Sequence, residues 1–98
     1  MRIEVYGRQG CKLCESAKKK IEHFLEKWGV GKEHEIIFVD MESEFGAAEG
    51  DFYDVFHVPT VLLKKGESEI VARWDGEAPP SEQLEKHIRR SDSTSAAA

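Results

Sequence analysis

The sequence predicts a three-layer α/β domain with a four-stranded mixed sheet, and three observations carry that prediction. The chain opens as strand, helix, strand, an order that joins two parallel strands through a right-handed crossover. Two later strand-like runs are separated only by Lys65-Gly66-Glu67, short enough for an antiparallel hairpin. A final amphipathic segment supplies a closing helix, so the full order is strand, helix, strand, helix, strand, strand, helix, without an internal repeat.

Each element follows from its spacing. From Arg2 to Tyr6, Ile3 and Val5 fall on one side and Arg2, Glu4 and Tyr6 on the other, the period of a short strand, which Gly7 and Gly10 then break. From Lys12 to Trp28, Leu13, Ala17, Ile21, Phe24, Leu25 and Trp28 recur in steps of three and four. They draw an apolar stripe along a helix, with Cys14 beside it and Lys18 to Lys20, Glu22 and Glu26 on the wet face. Gly29 and Gly31 are the stop signals. Glu35 to Val39 is an unalternating β-branched and aromatic run, expected to be a strand buried on both faces. Between Asp40 and Val58 an acidic loop leads into a short helix, placed by the helical spacing of Phe52, Val55 and Phe56. Thr60 to Lys64 and Ser68 to Trp74 make the hairpin. In the last helix Ser81 caps, Glu82 and Glu85 sit near the positive end, Arg89 and Arg90 near the negative end, and Leu84 and Ile88 anchor it. Asp51, Phe52, Tyr53 and Trp74 are expected to be packing and turn residues, with Trp74 bordering a groove at most. Residues 1–90 therefore form one domain, and 91–98 read as a disordered tail.

Composition narrows the function. The 98 residues suffice for one small domain, and 40% hydrophobic content is enough for a core. The longest apolar run, Ile36 to Val39, is far below the ~20 residues of a membrane-spanning helix. With 14 Lys and Arg against 19 Asp and Glu, and no basic block, a nucleic-acid footprint is excluded. The opening Met1-Arg2-Ile3-Glu4 lacks a secretory apolar stretch, so the expected compartment is the reducing cytoplasm.

In that setting Cys11 and Cys14 are chemistry rather than a staple, because closing so short a loop constrains an unfolded chain little. A helix starting at Lys12 puts Cys11 at its N-terminal end, where free N–H groups and the positive end of the macrodipole favour a thiolate. Arg8 and Lys12 add charge of the same sign. Cys11 is the expected nucleophile. Cys14, close to one helical turn later, is the expected resolving thiol. Val58-Pro59-Thr60 opens the third strand with a proline that cannot serve a central ladder and so belongs in a loop or cis turn.

A Cys-x-x-Cys at a helix start, followed by Val-Pro-Thr before a hairpin and a closing helix, resembles the thioredoxin-fold superfamily. The likeness runs from residue 2 to about 90 and is greatest to small glutaredoxin-sized members. Tyr6-Gly7-Arg8-Gln9-Gly10-Cys11-Lys12-Leu13-Cys14 resembles the glutaredoxin stretch Tyr-Thr-Lys-x-x-Cys-Pro-Tyr-Cys, with Arg8 where the family's lysine meets glutathione. Val58-Pro59 matches the cis-proline loop whose backbone pairs with substrate, and Tyr53 to Glu67 reads more like thioredoxin. Lys12 and Leu13 replace proline and tyrosine, Trp74 to Ala78 lacks the paired-glycine glutathione signature, and Val5 stands where thioredoxins bury an acid.

The resemblance implies a monomeric, cytoplasmic thiol–disulfide oxidoreductase with no bound cofactor. Cys11 and Cys14 are its catalytic pair, and Arg8, Lys12, Val58 and Pro59 contact disulfide-containing protein substrates. Electrons arrive from glutathione or a flavoprotein thioredoxin-type reductase. The alternative is a glutathione-assisted iron–sulfur site at Cys11, suggested by the missing proline at Lys12. A zinc site would need His23 and His34, whose spacing does not resemble a finger, and His57 reads as a loop histidine beside Val58.

Overall fold

A computed structural model describes residues 1–66 and 69–88. Its elements are β1 (Arg2–Gly7), α1 (Lys12–Lys27), β2 (Glu35–Asp40), α2 (Glu44–Phe52), β3 (Thr60–Lys65) and β4 (Glu69–Asp75). A last helix, α3, covers residues 81–88. The sheet order is β2-β1-β3-β4, with β1 parallel to β2 and antiparallel to β3, and β3 antiparallel to β4. The expected α/β order and mixed four-stranded sheet are therefore present. Ser68, Arg89, Arg90 and the expected tail at 91–98 lie outside the described residues.

Alternation along the strands separates two cores. On one face Ile3, Val5, Val61, Leu63 and Trp74 pack with Ile21 and Leu25 of α1 and with Leu84 and Ile88 of α3. The Trp74 indole N–H donates to Gln83 Oε1 at 2.7 Å, which ties α3 to β4. Trp74 is thus a core residue. On the other face Tyr6, Val39, Leu62 and Val55 pack with Tyr53 and Met41.

Three details differ from the sequence-based expectation. Leu13, assigned to the buried stripe of α1, is 69% exposed, because the buried line runs through Cys14, Ala17, Ile21 and Leu25. β2 is an edge strand, so Ile36, Ile37 and Phe38 are half-buried rather than covered on both faces. α2 lies earlier than the spacing of Phe52, Val55 and Phe56 suggested, and it ends at Phe52. Ser43 starts it by accepting from the Gly46 N–H at 2.9 Å, a cap that outweighs the downstream apolar spacing. Glu4 and Tyr6 take the side of β1 opposite Ile3 and Val5, as the alternation predicts, and both are buried there.

That second face buries charge. Lys64 Nζ lies 2.9 Å from Glu4 Oε1 and donates to the Tyr53 hydroxyl at 2.8 Å, while the Tyr6 hydroxyl donates to Glu4 Oε1 at 2.9 Å. Arg2 Nε stands 3.0 Å from the other Glu4 oxygen. Burial pushes the Lys64 ammonium down, but hydrogen bonds to Tyr53 and Glu4 outweigh it and hold the group above its usual value of 10.5. Burial first, then the bond to Glu4, pushes the Tyr6 hydroxyl up. Lys64 is charged across the physiological range. Its contribution to stability is whole below about pH 10.5 and is lost as pH climbs through the raised value.

Two predictions follow from this packing. A Cβ on Gly46 would sit 1.7 Å from the Asp40 carbonyl oxygen, whereas one on Gly50 meets only the flexible end of Met41. Gly46→Ala should lower the urea midpoint by the equivalent of about 2–3 kcal/mol, and Gly50→Ala by far less. Lys64→Met should cost about 3 kcal/mol by taking the buried cation from Glu4 and leaving it Arg2 and the Tyr6 hydroxyl, while Glu4→Leu combined with Lys64→Leu should recover most of it. A pair of midpoints that simply add would refute that coupling.

Candidate active site

The pairing of Tyr6 with Thr60 brings the C-terminal end of β1 and the N-terminal start of β3 to the same end of the sheet. The segments that continue from those ends, Arg8 to Cys11 and His57 to Pro59, are therefore neighbours. The Val58–Pro59 bond is cis, and the Thr60 hydroxyl donates to the His57 carbonyl at 2.6 Å, closing the turn. On the other side Gly10, at φ 79°, turns the chain into α1, and the Cys11 N–H reaches the Arg8 carbonyl at 3.3 Å. A left-handed φ there suits glycine, which has no Cβ to clash.

Cys11 is the N-cap of α1: its backbone is extended and its Sγ accepts from the Cys14 N–H at 3.1 Å. That bond satisfies one of the free donors at the helix start and aims it at sulfur, an arrangement that stabilises negative charge there. Cys11 and Cys14 are joined as a disulfide with their Cα atoms 5.3 Å apart. Cys11 is partly exposed and Cys14 fully buried. One sulfur can thus meet a substrate, while the other is reached only through the first.

What holds Cys14 in place is the missing side chain of Gly7. A Cβ there would lie 2.8 Å from Cys14 Cβ, 2.9 Å from its Sγ and 3.0 Å from Phe38 Cζ. Gly7 shares its sheet face with Ile3 and Val5, so Cys14 sits on the apolar side of the sheet. Glu4, the buried carboxylate of β1, faces the other side. Among the described residues, β1 therefore places no carboxylate beneath Cys14.

Arg8, Met41, Val55, Phe56, His57, Val58, Asp75 and Gly76 line a groove of about 590 Å3 at this end. Arg8 and Val58, two of the predicted substrate contacts, are in it. Pro59 is buried behind it, and Lys12 is exposed at the first residue of α1 without lining it. Asp75 is held by Arg73 through bonds of 2.8 to 3.0 Å, which leaves Arg8 as the cation of the groove. His57 and Phe56 are exposed at its edge. A larger cavity of about 700 Å3 lies at the opposite end of α1, around Glu22, Gly29 and His34. Sixteen helical residues separate the ends, roughly 20 Å, and that cavity holds no thiol. The smaller groove is the one that bears on the chemistry. Among the described residues, no group of three or more His, Cys, Asp and Glu side chains is arranged to hold a metal ion.

Sequence reasoning missed Asp75, Met41 and Phe56 as groove residues, since they come from three separate stretches, the end of β4, the residue after β2 and the segment before β3, with no shared motif. Gly7 carried a signal, a glycine closing a strand four residues before a cysteine, but reads equally well as a simple break. We expect Gly7→Ala to slow closure of the Cys11–Cys14 disulfide from a mixed disulfide by at least about tenfold, with alkylation of Cys11 changed less than about twofold. Equal effects on both thiols would show that Gly7 has no particular hold on Cys14.

No family model matches the chain, and no curated protein matches it in sequence. Solved structures do match. Thioredoxin 1 from Thermosipho africanus superposes with TM-score 0.68 at 23% identity, over 98% of this chain and 99% of its own. Thioredoxin-2 of the malaria parasite, described as a component of its protein secretion machinery, gives 0.71 at 18% identity, over 91% and 81% of the two chains. Thioredoxin O2 from Arabidopsis thaliana in its oxidized state gives 0.67 at 17%, over 91% and 72%. With its β2-β1-β3-β4 sheet, a Cys-x-x-Cys pair capping α1 and a cis-proline at the facing loop, this chain has the thioredoxin fold.

Proposed function

We propose that the protein is a dithiol–disulfide oxidoreductase that reduces disulfides in proteins. The observation that carries this reading is the exposed-and-buried sulfur pair at the cap of α1, already able to close as a disulfide beside an open groove. In the reduced state the Cys11 thiolate attacks one sulfur of the substrate disulfide; a Cys11–substrate bond forms and the other substrate sulfur leaves as a thiolate. The Cys14 thiolate then attacks Cys11 Sγ. The mixed disulfide breaks, the second substrate sulfur leaves, and the two electrons given up by the protein remain as its own Cys11–Cys14 disulfide. A thiol donor of the glutathione class, or a flavoprotein reductase, returns them.

In this reading an extended substrate segment lies in the groove, where Arg8 and Val58 among the lining residues support it. Reaction in the cytoplasm, by a monomer, needs nothing beyond these two sulfurs and an external reductant.

Three measurements test the reading. Cys11→Ser should abolish disulfide reduction, and Cys14→Ser should accumulate a trapped Cys11 mixed disulfide visible by mass. The reduction potential of the couple should lie near about −270 mV for a thioredoxin-like reductant, or about −200 to −230 mV for one that exchanges with glutathione. A chain that forms no intramolecular disulfide at any poise, and becomes a coloured dimer when reconstituted with iron, sulfide and glutathione, would instead be a cluster-binding protein.

A further inference from the structure

Helix α2 has its sides reversed. Its buried positions are Gly46 and Gly50, while Phe45 and Phe52 are 71% and 76% exposed. Phe45, Ala48 and Phe52 are spaced i, i+3, i+7, so they form one outward stripe opposite the two glycines. The glycines have a structural reason: the helix crosses so close to the Asp40 carbonyl and to Met41 that a Cβ would collide with them. Phe45 has none among the described residues, and Phe52, still 76% exposed, has one ring contact, edge-on to the adjacent Tyr53 at 4.8 Å. Phe56, 81% exposed and four residues after Phe52, is part of the groove lining. Contiguous exposed aromatic surface of this kind marks a contact site.

Charge limits what can cover it. By helical position Glu44 and Asp51 flank the stripe on one side and Glu49 on the other, with Glu42 and Asp54 beyond its ends. From Met41 to Leu63 there are five acidic residues and no lysine or arginine. Among the described residues, no cation pairs with Glu42, Glu44 or Asp51. Two copies meeting symmetrically through this stripe would lay one acidic rim on another, and an anionic surface would be repelled. A complementary surface carries aliphatic side chains with basic residues around them.

We propose that the outer face of α2, Phe45, Ala48 and Phe52 within their acidic rim, is a docking site for a partner protein that presents one face of a cationic amphipathic helix. Leucine-type side chains cover the two rings, and lysines or arginines meet Glu44, Asp51 and Glu49. α2 ends at Phe52, four residues before Phe56 of the groove lining, so a partner docked on its outer face sits near the groove and raises the local concentration of any adjoining segment at Cys11. The surface itself stands apart from the thiols, and its test does not depend on their reactivity.

The probe is a helical peptide with leucine along one face and lysine along the other, compared with the same peptide carrying glutamate for lysine. Binding to the full chain is followed by NMR amide shifts and by fluorescence anisotropy. The lysine peptide should shift residues of α2 and the segment after it, and weaken about tenfold or more when salt is raised from low to several times physiological strength. Phe45→Ser with Phe52→Ser should weaken it by about tenfold or more, and Glu44→Gln with Asp51→Asn by a smaller factor, with unfolding midpoints and reduction of a small aromatic disulfide unchanged. The glutamate peptide should not bind. Equal binding of both peptides, shifts confined to another face, or unaltered binding to either pair of variants overturns the proposal. So does a wild-type dimer in sedimentation that the phenylalanine pair dissociates, since the occupant would then be a second copy.

Discussion

With no side chain at Gly7, the first turn of α1 lies directly on the C-terminal end of β1, and the Cys14 side chain occupies the space a Cβ would take. That contact sets where the helix starts. Because α1 begins there, its free N–H groups gather around Cys11, and the Cys14 N–H points at the partner sulfur. The same strand end is paired through Tyr6 to Thr60, so the cis Val58–Pro59 turn is carried to the same edge. One close approach therefore fixes the sulfur pair and, through the sheet, the loop that faces it. The division of labour between an exposed and a buried sulfur is a consequence of packing, with both cysteines on one turn of one helix.

The two faces of the sheet are stabilised differently. Beneath α1 and α3 the core is aliphatic with one tryptophan. Beneath α2 it contains an ion pair, two tyrosines and a helix that approaches through glycines. A nine-residue helix with glycine on its buried side contributes little apolar area, so the face it covers is completed by Tyr6, Tyr53 and the Lys64 stem. Arg73 braces the exit from α2 by donating to the backbone carbonyls of Tyr53 and Asp54. The cost of burying Lys64 and Glu4 is offset by hydrogen bonds to the Tyr53 and Tyr6 hydroxyls as well as by the Coulomb attraction. Charge is thereby kept on the side of the sheet away from the redox pair.

Local signals were enough for much of this molecule. The period-2 start of β1, the three-and-four spacing of α1, the Cys-x-x-Cys at its beginning and the Val-Pro-Thr at the start of β3 are each contained in a short window. From them followed the element order, the mixed sheet, the place of the cysteine pair at the start of α1, and the turn at the same end of the sheet. Hydrophobic spacing was less informative at Leu13 and in the stretch from Asp40 to Val58. There, a cap at Ser43 and a close approach at Gly46 decided the local structure over the apolar pattern.

The sequence by itself determined the periodicities, the caps and the chemistry of two thiols one turn apart, because these depend on neighbours within a few residues. Tertiary structure decided which faces those periodicities buried. It buried Glu4 and Tyr6 on the second side of β1, left β2 at an edge, sent Phe45 and Phe52 outward by bringing α2 in on its glycines, and assembled the groove from Arg8, Met41, Phe56 and Asp75. The physical reason is the same in each case: burial and close contact are properties of pairs of segments far apart in the chain, and no spacing within one segment records what will be laid against it.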